Sequence, residues 1–197
     1  MRWDRAADTL IAPPVPEYSK LRAALLVDEA AKQLNHTGLW TLPIAGAAGS
    51  TVEIRLNVPM PADGATAAVA VVALAPPTAV AGAVQVVLNI SGTPAANGSR
   101  TGVLSVTNRF APPWRNTTTT SMARFVILPD EKHVDVLIYV DRVVVEAFAM
   151  GGRAAVLANE FRPDPQSTIH LFGPAASAPT TVHDVQVWEM GCGYEPL

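Results

Sequence analysis

The stretch "IYVDRVVVEAFAMGGR", Ile138 to Arg153, decides the fold of this chain. Successive side chains of an extended strand alternate between its faces, so residues 145, 147 and 149 share one face and residues 144, 146 and 148 share the other. Both faces are largely apolar. This pattern is typical of a strand that packs one face on a second sheet while a neighbouring domain or loop covers the other.

The residues on either side of this strand predict turns. Asp141 and Arg142 form a polar break before it, and "MGG" at 150–152 follows it directly. Glycine adopts positive φ without steric cost, so this triplet predicts a hairpin. Arg153 is then expected to begin the return strand.

Glu146 is the exception within the apolar run. A buried carboxylate is costly without a partner, and Arg142, Arg153 or Arg162 could supply one. The favoured interpretation is a structural ion pair or a partly exposed acid. The alternative, a catalytic carboxylate, is weaker because no second acid stands at a recognisable spacing.

The chain beyond Gly38 repeats short apolar or alternating segments that are divided by Gly-, Pro- and Asn-rich turns. Strands are predicted at 39–44, 51–58, 67–74, 82–90, 101–107, 122–128, 133–140, 143–149, 153–159, 167–172 and 181–190. This many strands with little helix predict an all-β fold, a two-sheet antiparallel β-sandwich of the jelly-roll or concanavalin-like kind. The sandwich is expected to span 35–192, with a tail at 193–197.

The N-terminal part of the chain is predicted to differ from the sandwich. Residues 1–16 are proline-rich and lack periodicity, which indicates an extended lead-in. Residues 17–34 follow Pro16, and their leucines and alanines recur at helical intervals. They predict a short linker helix.

Composition excludes several function classes. Charged residues make up 16% of the chain and the net charge is −3, so there is no basic surplus for a nucleic acid. A single cysteine, Cys192, and four scattered histidines indicate no disulfide framework, metal site or cofactor. Pro76 and Pro77 divide the apolar region 65–90, which favours two strands over a membrane span. No apolar block of signal-peptide length follows the first basic residues.

Two segments resemble a known family. "VDRVVVEAFAMGGRAAVLANEF" and the later "VHDVQVWEM" resemble the C-terminal β-sandwich of glycoside hydrolase family 32, the invertases and fructan hydrolases. "PVPEYSKLR" resembles the segment that leads from that family's catalytic propeller into the sandwich. The residues that match the family's pattern are Asp141, Arg142, Val145, Glu146, Phe148, Gly152, Arg153 and Trp188.

The resemblance implies that the chemistry lies on another domain. In that family a five-bladed propeller carries a nucleophilic Asp in Asn-Asp-Pro-Asn-Gly, a stabilising Asp in Arg-Asp-Pro and an acid/base Glu in Glu-Cys. None of these motifs occurs in this chain, because Pro163 interrupts "FRPDPQ" and the terminal "YEPL" contains no Glu-Cys. No catalytic residue is therefore predicted.

Four Asn-x-Ser/Thr sequons occur, at Asn35, Asn89, Asn97 and Asn116. Their number exceeds what composition predicts and favours N-glycosylation on a secretory route, although the compartment stays open. Asn97 and Asn116 are the best candidates because both stand in predicted loops.

Tryptophans suggest a second kind of site. Trp114, beside Arg115 in a proline-bounded loop, is a candidate for glycan contact because an exposed indole suits the apolar face of a sugar ring. Trp40 is a weaker candidate, and both are more often packing residues. Trp188, on the last predicted strand, is expected to pack.

Three functions remain open. The chain is a non-catalytic module of a β-fructofuranosidase that supports the propeller or subunit contacts, a carbohydrate-binding module for fructan- or sucrose-type glycans, or a structural subunit of a larger assembly. Trp3, Leu10 and Ile11 in the lead-in favour a chain that lies on a propeller or another protein surface.

Overall fold

A computed structural model describes residues 1–35, 38–42, 44, 51–74, 84–109, 118–142, 144–159, 168–173 and 179–191. Two short 3₁₀ helices span Pro16–Leu21 and Met150–Gly152. The strands are β1 (Arg2–Asp4), β2 (Thr9–Ile11), β3 (Arg22–Leu34), β4 (Trp40–Thr41), β5 (Thr51–Pro59), β6 (Ala67–Leu74), β7 (Val84–Ile90), β8 (Arg100–Arg109), β9 (Thr118–Ile127), β10 (His133–Asp141), β11 (Val144–Ala149), β12 (Ala154–Ala158), β13 (Thr168–Phe172) and β14 (Thr180–Met190).

The strands form two six-stranded antiparallel sheets. Sheet I has the order β12-β11-β10-β5-β14-β3, and sheet II has the order β4-β13-β6-β7-β8-β9. Among the described strands, β1 and β2 pair only with each other, in a separate two-stranded hairpin. The predicted all-β two-sheet sandwich is confirmed.

The core lies between the two sheets. Along β5, every second residue from Val52 to Val58 is at most 2% exposed. Leu56 and Ile138 of sheet I and Val69 and Leu88 of sheet II line one small void of about 10 Å³, so the two inner faces are in contact. Burial of this apolar surface is the main force that holds the sheets together.

The predicted hairpin around "MGG" is confirmed. The φ angles of Met150, Gly151 and Gly152 are 53°, 59° and 99°. Strand β11 alternates half-buried and buried residues, as its pattern predicts, and β12 returns antiparallel to it from Ala154. The other predicted strands overlap observed ones, although 39–44 shortens to β4 within the described residues.

The predicted linker helix at 17–34 is wrong beyond Leu21. The 3₁₀ helix ends there, and residues 22–34 form β3, which pairs with β14 along most of its length. The leucines and alanines that suggested a helical face do not share a buried side, since Leu25 is 49% exposed. Long-range pairing with β14 overrides the local helix propensity of this alanine-rich segment.

The lead-in is also more structured than predicted. Residues 1–11 form the β1–β2 hairpin, whose turn is held by the Asp4 carboxylate, which accepts hydrogen bonds from the Ala6 and Ala7 N–H groups. Asp8 in the same turn has a φ of 49°. Aspartate tolerates this conformation and often accepts hydrogen bonds from turn N–H groups. Asp4 and Asp8 therefore stabilise the turn at residues 5–8.

Candidate functional site

Four side chains form a row across the outer face of sheet I. Glu146, Tyr139, Glu53 and Trp188 are register partners on β11, β10, β5 and β14 respectively. We call them the outer row. They alternate along their strands with core residues and point away from the core, yet Glu53 is fully buried and Tyr139 is 8% exposed. They are covered by the N-terminal segment, residues 1–22, from which Tyr18 packs on Tyr139 and Arg22 lies over Glu53 and Trp188.

Glu53 forms the strongest polar contact of this row. Arg22 donates to both of its oxygens, Nε to Oε2 at 2.9 Å and Nη2 to Oε1 at 2.5 Å, and Arg55 Nε donates to Oε1 at 2.9 Å. The Arg22 guanidinium lies 4.1 Å from the centroid of the Trp188 ring. The bond to Glu53 raises the pKa of Arg22. We call this cluster the Glu53 anchor, since it holds the start of β3 on the sheet.

Aromatic rings form the other half of the row. The Tyr18 ring packs edge-on against Tyr139 at 4.6 Å, and Tyr139 packs against Phe148 at 6.2 Å. The Tyr18 hydroxyl donates to Glu146 Oε2 at 3.4 Å. Burial raises the pKa of Tyr139 to about 12, and burial followed by the Glu146 charge raises the pKa of Tyr18. Both hydroxyls therefore stay protonated at neutral pH.

An open groove of about 620 Å³ lies beside these rings. Tyr18 and Leu21 of the 3₁₀ helix form one side, and Tyr139, Asp141, Arg142 and Glu146 of the sheet form the other. Met190 and Gly191, at the end of β14, close one end. The groove thus combines apolar walls with two carboxylates and one guanidinium.

A second cluster holds the β1–β2 hairpin. Arg153 donates from Nε to Asp4 Oδ2 at 2.9 Å and from Nη1 to Glu131 Oε2 at 2.8 Å. The Ala12 N–H donates to the Gly152 carbonyl at 3.0 Å. A Cβ at Gly152 would lie 2.4 Å from the Ala12 carbonyl oxygen, so only glycine permits this approach. We call this cluster the hairpin anchor.

The structure brings most of the predicted motif residues to this face of the molecule. Asp141 and Arg142 are exposed at the groove, Phe148 packs on Tyr139, and Trp188 packs on Arg22. Of the two predicted states of Glu146, the partly exposed acid is confirmed, since the residue is half-buried, and an ion pair with an arginine is not seen among the described residues. Tyr18 bonds to Glu146 instead, while Arg153 pairs with Asp4 and Glu131, and Arg162 lies outside the described residues.

The predicted glycan and glycosylation sites are spread over the molecule. Trp114, Arg115 and Asn116 lie outside the described residues, as does Cys192. Asn89 and Asn97 are exposed, and Asn97 Oδ1 accepts a hydrogen bond from Ser99 N at 3.1 Å. Asn35 Oδ1 accepts one from Gly38 N at 2.7 Å. Modification of these asparagines stays a prediction.

Sequence reasoning missed the partners that cover the outer row. Tyr18 and Arg22 were assigned to a helix, and Glu53 and Tyr139 were not singled out. A signal was present on β5, since Glu53 is the one acid of "TVEIRLNVP" and Arg55 follows two residues later on the same face. Such a pair in an otherwise apolar strand indicates a buried salt bridge.

No described helix is long and apolar enough to cross a membrane. Within the same residues, no three His, Cys, Asp or Glu side chains come together in a way that could hold a metal ion.

Solved structures share this fold over nearly the whole chain. Fructan 1-exohydrolase IIa from Cichorium intybus aligns with a TM-score of 0.77 at 16% identity, covering 96% of this chain and 39% of that one. Exo-inulinase from Aspergillus awamori aligns with a TM-score of 0.64 at 15% identity, covering 97% and 34%. This chain therefore spans well under half the length of these structures, and the likeness concerns the fold.

Sucrose-6-phosphate hydrolase from Lactobacillus gasseri gives a weaker alignment, with a TM-score of 0.52 at 20% identity over 93% of this chain and 31% of that one. The comparison with curated protein sequences gave no match. The family model described as "Glycosyl hydrolases family 32 C terminal" matches residues 85–189, more than half of the chain. This match, together with the two-sheet fold, shows that the chain belongs to the C-terminal domain family of the family 32 glycosyl hydrolases.

Proposed function

We propose that this chain is a non-catalytic module that packs against, and stabilises, the catalytic domain of a family 32 glycosyl hydrolase that acts on fructosides such as sucrose or fructans. The observation that carries the proposal is the β1–β2 hairpin. It belongs to neither sheet of the sandwich, and a two-stranded hairpin alone is only marginally stable in water. The hairpin anchor holds it on the sandwich and Ile11 is buried there, whereas the face that carries Trp3 and Leu10 stays exposed.

The exposed side chains of the hairpin are those of a docking surface. Trp3 and Leu10 lie directly opposite each other on β1 and β2, so they share a face, and they are 58% and 50% exposed. Val15, just beyond the hairpin, is 51% exposed. A large aromatic and a leucine side by side at the surface favour burial against a partner.

The position of this surface favours a catalytic domain as the partner. The matching family model is that of a C-terminal domain, and the aligned fructan exohydrolase is much longer than this chain. Since the family model describes a C-terminal domain, we infer that the additional length of such a protein precedes the sandwich. The hairpin stands at the N-terminal end of the described fold, where such a domain would meet it.

The acids of the outer row favour a supporting role over hydrolysis. Retaining glycosidases need two carboxyl groups about 5 Å apart, one as the nucleophile and one as the acid/base. Both oxygens of Glu53 are held by arginines in a fully buried position, and Glu146 bonds to Tyr18. Neither acid is placed to attack a sugar.

The test co-expresses this chain with the family 32 catalytic domain from the same genome. We expect the two to co-elute in size-exclusion chromatography and the catalytic domain to melt at a higher temperature with the chain than without it. The double substitution of Trp3 and Leu10 by alanine should weaken the association at least about tenfold, since tryptophan is enriched among interface hot spots and Leu10 adds buried apolar area beside it. Leu157→Ala is the matched control, since Leu157 is 49% exposed on β12 outside the hairpin, and it should leave the association unchanged.

Two outcomes would overturn the proposal. The first is release of fructose from sucrose or inulin by the purified chain alone. The second is a catalytic domain whose association and melting temperature do not respond to the chain or to the Trp3 and Leu10 substitutions.

A further inference from the structure

The groove beside the outer row carries polar groups that the fold itself does not use. Asp141 and Arg142 are exposed, and in the described part of the chain neither makes a hydrogen bond or an ion pair with its side chain. Glu146 has one partner there, Tyr18, at 3.4 Å, which is long for a hydroxyl–carboxylate bond. A carboxylate can accept about four hydrogen bonds, so most of its capacity is free.

The apolar part of the groove is formed by ring faces and aliphatic side chains. Tyr18 and Tyr139 are held at a fixed angle to each other, and Leu21, Val144 and Met190 extend the wall. The groove volume of about 620 Å³ falls within the range of about 300–1,000 Å³ that is usual for small-molecule sites. It combines a rigid aromatic wall with an unsatisfied polar rim.

These groups select the chemistry of a ligand. Two carboxylates against one guanidinium repel a phosphate or another anion, and three charges disfavour a purely apolar molecule. A neutral molecule with several hydroxyls satisfies both kinds of group, because its hydroxyls donate to Glu146 and Asp141 and accept from Arg142. The C–H face of a sugar ring fits against a tyrosine.

We propose that this groove is a binding site for a neutral saccharide. Glu146 and Asp141 accept hydrogen bonds from ring hydroxyls, Arg142 donates to a ring or glycosidic oxygen, and Tyr18 packs on the ring. The inference rests on the proposed function only for the choice of fructosides as the sugars to be tested.

The 3₁₀ helix Pro16–Leu21 forms one wall of this groove. Tyr18 and Leu21, which line one side of the groove, belong to the segment that joins the hairpin to β3. The Glu53 anchor fixes the residue that follows this helix, Arg22, on the sheet. The Glu53 anchor therefore fixes one side of the groove on the sheet.

The test titrates the whole chain with sucrose and with 1-kestose by isothermal titration calorimetry. We expect saturable binding of both, with fructose 6-phosphate binding at least about tenfold more weakly because of the two carboxylates. Glu146→Gln and Asp141→Asn should each weaken binding of the neutral sugars about tenfold, which is the usual loss for one hydrogen bond to a charged group. Glu29→Gln and Asp130→Asn, exposed acids outside the groove, are the matched controls.

Methyl NMR locates the binding. The Met190 methyl lines the groove, whereas Met122 is 62% exposed on β9 of sheet II. Saccharide should shift the Met190 resonance and leave that of Met122 in place. Absence of binding by both sugars, or binding that is unchanged in both groove variants, overturns the inference. Because this measurement uses the chain alone, its failure is distinct from a failure of the docking experiment with the catalytic domain.

Discussion

The two anchors of the N-terminal segment use the same chemistry in opposite ways. In the Glu53 anchor the acid is fully buried and its arginines reach solvent, with Arg22 and Arg55 side chains 23% and 48% exposed. In the hairpin anchor the arginine is the most buried member, at 10% exposed, and the acids Asp4 and Glu131 are 16% and 20% exposed. A buried carboxylate needs its arginines to offset the cost of burial. A carboxylate that touches water can instead be protonated, which breaks its ion pair with the arginine.

The largest effect is expected at the Glu53 anchor. Arg22→Met removes both bidentate bonds and leaves a buried carboxylate with Arg55 alone, so we expect the free energy of unfolding to fall by about 3 kcal/mol. Arg55→Met removes one bond from a half-exposed arginine and should cost about 1 kcal/mol. Urea denaturation of both variants measures the difference. Equal and small losses would mean that Glu53 is not held as described.

The hairpin anchor should be most sensitive at Gly152. Gly152→Ala places a Cβ 2.4 Å from the Ala12 carbonyl oxygen at a φ of 99°, so it should lower the free energy of unfolding by about 2 kcal/mol or more. Gly151→Ala is the matched control. Its φ is 59° with no atom within 4 Å of the added Cβ, so only the backbone cost of about 1 kcal/mol applies. Equal losses in urea denaturation would contradict the close contact with Ala12.

Asp4 should give the hairpin anchor a pH dependence. The Arg153 hydrogen bond lowers the pKa of Asp4 below its ordinary value of 3.8. The folded state therefore favours the ionised acid, and this stabilisation is present above pH 3.8 and is lost as the pH falls through the lower folded value.

Trp3 fluorescence is a local probe of this change, because Trp3 precedes Asp4 on β1. In acid titrations, Asp4→Asn should remove part of the stability loss that the unsubstituted chain shows as the pH falls below 3.8. Asp8→Asn in the same turn is the control. Identical acid profiles for the unsubstituted chain and Asp4→Asn would exclude the anchor as an acid-sensitive contact.

The smallest effect is expected at an exposed ion pair outside both anchors. Asp63 pairs with Arg100, but its side chain is 82% exposed, and Arg100 also donates to the Ser91 and Gly92 carbonyls. Asp63→Asn should change the free energy of unfolding by no more than about 0.5 kcal/mol. Chemical denaturation measures this change. A fall in the free energy of unfolding well above 1 kcal/mol would show that the contribution of these ion pairs does not follow their exposure to solvent.

The sandwich could be predicted because its strands carry their own pattern. The alternation from Val144 to Ala149 and the glycines that follow define a strand and a turn by local sterics alone. The same reasoning assigned residues 22–34 to a helix, because the pairing of β3 with β14 joins residues far apart in the chain. Local periodicity does not contain that contact.

The site was less predictable for the same reason. Glu146, Asp141 and Arg142 were identified through a motif, but the residues that complete the groove come from elsewhere. Tyr18 reaches Glu146 across 128 residues, and Arg22 reaches Glu53 across 31. The partners of these charged and aromatic side chains lie far away in the sequence. Their contacts can therefore be identified only once the order of the strands in the sheet is known.

The place of β14 in sheet I constrains how the protein is made. This strand is the last of the described strands, yet it lies between β5 and β3, and it pairs with both. During synthesis on the ribosome, β3 and β5 emerge long before the strand that joins them. Sheet I is therefore completed only when residues 180–190 have left the exit tunnel, and until then β3 has no neighbour in its sheet. Folding of this kind is slow and leaves unpaired strand edges exposed. A chain truncated before Thr180 lacks the strand that joins β3 to β5.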